Sequence, residues 1–162
     1  MAQVIVALGS NLGDRERQLR DAAAYLETLA DGPVVVSDVY ETAPVGSSTG
    51  WYLNAVARFS TAWRPEALFQ QLKAWEVRQG RDPDAPRWTD RLIDLDIIDY
   101  DGRLWETADL AIPHPECLNR RFVLEPLRDV APEWIHPTEG VGITDAICRL
   151  PETGIRRHGA FW

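Results

Sequence analysis

Two aspartates one residue apart, Asp94 and Asp96, stand in the run Arg91-Leu92-Ile93-Asp94-Leu95-Asp96-Ile97-Ile98-Asp99-Tyr100. The run alternates. Ile93, Leu95 and Ile97 fall on one parity, and the two carboxylates on the other. That period belongs to a strand with one buried face. Aspartate is a poor strand former, and like charges on one face repel. Either the polar face is simply wet, or a cation sits on it. Side chains at i and i+2 start about 6.5–7 Å apart at Cα, so the carboxylates can converge on one divalent ion or flank two. Magnesium takes hard oxygen ligands, often one or two protein carboxylates with substrate phosphates completing the shell. Short acidic motifs also arise by chance, so the pair needs support from its surroundings.

The chain carries 17 Lys+Arg against 25 Asp+Glu, a net charge of −8. Nucleic-acid binding needs phosphates neutralised by a basic surface, and this balance argues against it. Basic charge is nevertheless concentrated near the pair: Arg81, Arg87 and Arg91 precede it, and Arg120 and Arg121 follow. Arginine grips phosphate as a planar fork. Carboxylates for metal beside arginines for phosphate are the parts that phosphoryl transfer needs, where positioning and charge neutralisation do most of the work. Asp99, of opposite parity and just before a turn, is read as structural.

Other residues carry weaker signals. Gly9-Ser10-Asn11-Leu12-Gly13-Asp14 lacks the spacing of a phosphate-cradling loop, and is read as a strand-to-helix turn capped by Asn11 or Asp14. A flat heterocycle could stack on Tyr52 and be read by Asn54, or Tyr52 could be core. His114, in Ile112-Pro113-His114-Pro115, could be a ligand contact or a loop histidine with a structural hydrogen bond. Trp88, inside the arginine loop, could stack on a ring. In Asn119-Arg120-Arg121-Phe122, an arginine could meet phosphate and a phenylalanine a ring, or the segment could be a basic first turn with one core residue. Cys117 and Cys148 have no CxxC spacing and suggest neither a disulfide framework nor a zinc site.

The elements that must position these residues follow from periodicity. One hundred and sixty-two residues suit a single domain, 1–162. Val4–Leu8 reads as a buried strand. A helix follows from about Asp14 with a stripe of Leu19, Ala22, Ala23, Leu26 and Leu29. Val34–Tyr40 reads as a second strand and Tyr52–Thr61 as a third. Pro65 begins a second helix with Leu68, Leu72 and Trp75 on its stripe, and Gly80 closes it. Then comes the Asp-bearing strand. Asp101-Gly102 predicts a hairpin turn, with Leu104-Trp105 returning as a further strand. A short helix is expected after Asn119 and another near the C-terminus. The order β-α-β-β-α-β is the ferredoxin-like, split β-α-β order: an α+β fold with an antiparallel sheet, both helices on one face, and additional C-terminal elements. The other face is expected to be free for a ligand, with Asp94 and Asp96 projecting from it. The first residues have no basic segment, and the run Val4–Leu8 is too short for a signal or membrane span. A cytoplasmic protein without membrane or nucleic-acid partners is expected.

Taken in order along nearly the whole chain, these residues resemble the 6-hydroxymethyl-7,8-dihydropterin pyrophosphokinase family of folate biosynthesis. The resemblance rests on Ala7–Gly13, Tyr40–Gly46 with Tyr52-Leu53-Asn54, Glu76 with Gly80-Arg81, Arg87-Trp88, and Arg91 with Asp94–Ile97. It continues through Pro113-His114, Asn119-Arg120 with Phe122, and Pro126-Leu127. It implies transfer of pyrophosphate from ATP, the co-substrate, to the pterin hydroxymethyl group with release of AMP. Asp94 and Asp96 would hold two Mg²⁺ ions. Tyr52 and Phe122 would sandwich the pterin, with Trp88 nearby. Asn54 and the main chain of Thr42, Ala43, Pro44 and Val45 would read its edge. Lys73, Glu76, Arg87, Arg91, Ile97, His114 and Arg120 would contact ATP. Arg81, Arg91 and Asp96 would act during transfer, under a closing loop. A monomer is implied, with a dimer as the alternative.

The chain departs from the family pattern in places. Thr89-Asp90 stand where Gly-Pro is usual, Leu92 where Thr is frequent, and Pro83 where the loop has a second arginine. Asp109 and Ala111 stand for Arg and Thr, and Pro115 for an aromatic. Asp82 and Asp90 add negative charge near the phosphates. These changes touch ATP handling more than pterin binding. They keep open a pterin-binding paralogue with another acceptor or without catalysis, and, from another class, a plain interaction module.

Overall fold

The computed structural model describes residues 1–44, 50–80, 92–152 and 154–162. β1 (Ala2–Ser10) is apolar on both faces and lies inside a sheet. β4 (Tyr52–Thr61) pairs with it on one side and β5 (Asp94–Tyr100) on the other. The strand order is β5-β1-β4-β3-β8, where β3 is Val39–Thr42 and β8 is Ile155–Gly159. β2 (Val35–Val36) also pairs with β4. Every pairing is antiparallel.

The expected second strand is therefore two short pieces. Ser37 divides them by putting its hydroxyl into the ladder. Its Oγ accepts from Val56 N at 2.9 Å, while its own N donates to Val56 O at 2.9 Å. A side chain that substitutes for a main-chain carbonyl ends regular pairing.

α1 (Arg15–Leu29) begins at Asp14, whose side chain accepts from Arg17 N at 3.2 Å. It buries the expected stripe. α2 (Pro65–Arg78) starts on its proline and buries Leu68, Leu72 and Trp75. Gly80 follows at φ +105, a conformation that disfavours other residues. Both helices cover one face of the sheet, over Val4, Val6, Leu8, Leu95 and Ile97.

The other face is not free. α3 (Arg121–Val130) and α4 (Ile143–Cys148) pack there on Ile5, Val56 and Ile98. Periodicity finds a helix, but not the face of the sheet that it will cover.

Asp99 also needs a correction. The register slips between Ile5 and Val6: Val6 faces Ile97 and Ile5 faces Asp99, leaving Ile98 as an extra residue. This bulge puts Asp99 on the same face as Asp94 and Asp96. Its role stays structural, since Oδ2 accepts from Gly102 N at 3.1 Å, and burial raises its pKa. The turn forms as expected, with Asp101 at φ 56 and Gly102 at φ 67. The return strand does not pair with β5. β6 (Trp105–Glu106) pairs instead with β7 (Ala111–Ile112), closed by Thr107 N to Leu110 O at 2.8 Å. Among the described residues, no helix is long and apolar enough to cross a membrane.

β8 is an edge strand that sequence periodicity did not show. Its Arg156 lies opposite Glu41 and bonds it through Nε at 2.8 Å. Arg15 of α1 meets the other carboxylate oxygen at 3.0 Å and Trp51 O at 2.8 Å. The Arg156 guanidinium also lies 4.8 Å from the Trp51 ring centroid. Burial pushes the Glu41 carboxyl up, but the two guanidinium groups outweigh it and hold its pKa below the ordinary value. A depressed carboxyl stabilises the fold above its unfolded value and loses that contribution as pH falls through the folded value. Acid unfolding should therefore include a Glu41 component below about pH 4.3. Glu41→Gln should remove it and cost about 1–3 kcal/mol at neutral pH, read by urea melts at several pH values.

Candidate active site

Gly9 of β1 lies opposite Asn54 on one side and Asp94 on the other. Ala7 lies opposite Val56 and Asp96. Directly opposed residues share a face. The Asn54 amide and the two carboxylates therefore lie on one face, with the small side of β1 between them. Strands spaced about 4.8 Å apart put Asn54 and Asp94 about 10 Å apart, enough for a small flat ring. Gly9 leaves room for close approach: a Cβ there would come 3.0 Å from Asn54 Oδ1 and 3.6 Å from Tyr52 Cδ1, so the amide would have to give by a few tenths of an ångström.

Asn54 is oriented from beside. Its Nδ2 donates to Thr42 Oγ1 at 2.7 Å, and both residues are buried. Oδ1, on the Gly9 side, remains an acceptor for a ring N–H. Tyr52 is half-buried two residues before Asn54 on the same strand face. Phe122 stands in the first turn of α3, half-buried, with the Arg120 guanidinium 5.6 Å from its ring centroid. α3 is tied to the same face, where Tyr40 opposes Asn54 and donates through its hydroxyl to Asp129 Oδ2 at 2.8 Å. Ala43 and Pro44 follow β3, and Ala43 N donates to Gly154 O at 2.9 Å.

The carboxylate end is ringed by cations. β5 ends the sheet path, and Lys73 of α2 reaches its edge. The Lys73 Nζ lies 2.6 Å from Leu95 O, 3.3 Å from Asp96 Oδ1 and 2.9 Å from Glu76 Oε2. Glu76 is fully buried. Burial raises the Asp96 pKa, but the charges of Lys73, His114 and Arg120 bring it below the ordinary value. Burial pulls the Lys73 ammonium down, and Asp96, Asp94 and Glu76 more than restore it. His114 N donates to Ile98 O at 3.0 Å. Its Nδ1 accepts from Glu116 N at 3.1 Å, which puts the proton of the neutral ring on Nε2. Burial lowers the His114 pKa.

One expected contact changes character. The Ile97 side chain is buried in the core with α1 and α2, away from the Asp face. Only its main chain is left to meet a ligand. Leu92 gains a role that the sequence did not suggest. A Cβ at Gly13 would come 3.2 Å from Leu92 Cδ2, and one at Gly80 3.3 Å from Cδ1, so Leu92 packs against both turns. Val45, Arg81, Arg87, Trp88 and Arg91 lie outside the described residues.

Among the described residues, no three His, Cys, Asp or Glu side chains group as a metal cage. Two hard carboxylates suit Mg²⁺, which keeps waters and takes substrate oxygens. The donor set therefore fits a metal that arrives with phosphate. The small floor at Gly9 and Ala7 was missed at the sequence level. Its signal is the cross-strand register, which a single strand does not carry.

The site is thus an antiparallel sheet flanked by helices, with a buried amide set across one glycine from a carboxylate pair. A family model described as 7,8-dihydro-6-hydroxymethylpterin-pyrophosphokinase (HPPK) matches residues 5–132. The chain is 36% identical over 157 residues to 2-amino-4-hydroxy-6-hydroxymethyldihydropteridine pyrophosphokinase of Pseudomonas aeruginosa, covering 96% of each chain. It is 33% identical over 158 residues to Folic acid synthesis protein fol1 of Schizosaccharomyces pombe, covering 96% of this chain but only 21% of that protein. Its structure is similar, with a TM-score of 0.73 and 15% identity, to a chain described as HPPK-DHPS in complex with substrates. That match covers 91% of this chain and 43% of the other, and at this identity the likeness is one of fold. The chain belongs to the HPPK family.

Proposed function

We propose that this chain transfers pyrophosphate from ATP to the hydroxymethyl group of 6-hydroxymethyl-7,8-dihydropterin and releases AMP. The alignment of Asn54, Gly9 and Asp94 in one cross-strand row supports the reading, because an acceptor ring on the amide would then lie next to phosphates and metal on the carboxylates. Asn54 Oδ1 accepts from the pterin edge, and Tyr52 and Phe122 stack on its faces. Asp94 and Asp96 hold Mg²⁺, which supplies charge neutralisation for the transferring phosphates. His114, through Nε2, and Arg120 contact the nucleotide. Arg81 and Arg91, outside the described residues, are the proposed contacts to the moving group.

The pterin hydroxyl oxygen attacks the β-phosphorus. The bond from that phosphorus to the α–β bridging oxygen breaks, and the bridging oxygen leaves with AMP. Asp96, held ionised, is the proposed acceptor for the hydroxyl proton. The frame is the ferredoxin-like split β-α-β with β8 added at its edge, acting as a single domain over 1–162 and as a cytoplasmic monomer.

The test is AMP release from purified protein, Mg²⁺, ATP and the pterin. AMP formed only when the pterin is present supports the reading. Bound pterin without AMP would point to a binder with another partner reaction, and neither would reject the reading.

A further inference from the structure

We propose that Lys73 is a resident counter-ion for the Asp94–Asp96 pair, one that blocks bare divalent ions and yields to a metal–nucleotide complex. This rests on the reading that the pair binds a metal with ATP. The ammonium has three N–H donors and no acceptor. Two of them meet the Leu95 carbonyl at 2.6 Å and Asp96 Oδ1 at 3.3 Å, and the ammonium pairs by charge with Glu76 Oε2 at 2.9 Å. Glu76, one turn along α2 and fully buried, anchors the lysine from behind. Leu95 O, in the main chain of β5, fixes it from the side. The Lys73 and Asp96 side chains each keep 28% of their exposure, so the pair is within reach of a ligand from solvent.

This geometry treats two kinds of metal differently. A bare divalent ion approaching the pair meets a positive charge already seated on one of its ligand oxygens. Repulsion at a few ångströms in a partly buried site is worth about tenfold or more in affinity. A metal carried on a triphosphate brings excess negative charge, and the same ammonium then attracts it. Lys73 can leave Asp96 Oδ1 for a phosphate oxygen while its ammonium stays paired with Glu76. Metal loading thereby becomes conditional on nucleotide. A lysine that only tied α2 to β5 would make no such distinction.

The experiment uses Mn²⁺ as a spectroscopic stand-in for Mg²⁺, titrated by electron paramagnetic resonance with and without a non-hydrolysable ATP analogue. In the unaltered protein, Mn²⁺ should bind weakly alone and tightly with the analogue. Lys73→Met should tighten Mn²⁺ binding to the nucleotide-free protein by about tenfold and weaken analogue binding by a similar factor. Because that change leaves Glu76 with one partner fewer, Lys73→Met with Glu76→Gln is measured alongside and should show the same opposed pair of shifts. Affinities that fall together, or that do not move, overturn the counter-ion role while leaving the metal site standing. No Mn²⁺ binding to the unaltered protein, even with the analogue, overturns both the inference and the metal reading beneath it.

Discussion

Asp96→Ala should lower turnover by at least about a thousandfold, the equivalent of about 4 kcal/mol of lost charge stabilisation in the transition state. Three roles converge on this carboxylate. It is half of the proposed metal pair, it is the proposed proton acceptor, and Lys73, His114 and Arg120 all hold it ionised. The same change should leave pterin binding nearly intact, because Asn54 is oriented by Thr42 and lies two strands away. Steady-state AMP release and pterin fluorescence titration read the two quantities separately. Turnover within tenfold of normal would sink the assignment of Asp96, and equal loss of both quantities would mean that the sheet edge had collapsed.

Gly9→Val should act on the other half of the site. Valine suits a strand, and Gly9 does not need a left-handed backbone. Its Cβ, however, would lie 3.0 Å from Asn54 Oδ1 and 3.6 Å from Tyr52 Cδ1, and its methyls would rise into the trough between the amide and Asp94. Pterin affinity should fall by up to about a hundredfold, the binding equivalent of about 1–3 kcal/mol of overpacking in the trough. Stability should fall by only about 1–3 kcal/mol, the usual cost of overpacking. ATP-analogue binding should hold, since the carboxylate end is untouched. Calorimetry with each ligand, beside a thermal melt, separates these effects. Undiminished pterin binding would place the ring elsewhere.

The acid test at Glu41 and the lysine test at Asp96 concern different ends of the molecule. Glu41 holds the added edge strand and the start of β4 through Arg156, Arg15 and Trp51. It braces the start of β4, where the proposed ring site lies, without touching the carboxylate pair.

Much of this was legible in the sequence by itself. Alternation around Asp94 and Asp96 marked a strand with a polar face. The stripes of α1 and α2 were readable because a helix buries its apolar residues at a spacing its own sequence must carry. Tyr52–Thr61 was readable for the matching reason in strands. What only the tertiary structure decided involves residues far apart along the chain. Cross-strand register set Gly9 between Asn54 and Asp94. One bulged residue, Ile98, moved Asp99 to the other face. α3 and α4 took the face expected to be open, and Lys73 came to Asp96 from another element. Periodicity reports how one segment divides between inside and outside, whereas a site made from four elements depends on how those segments meet.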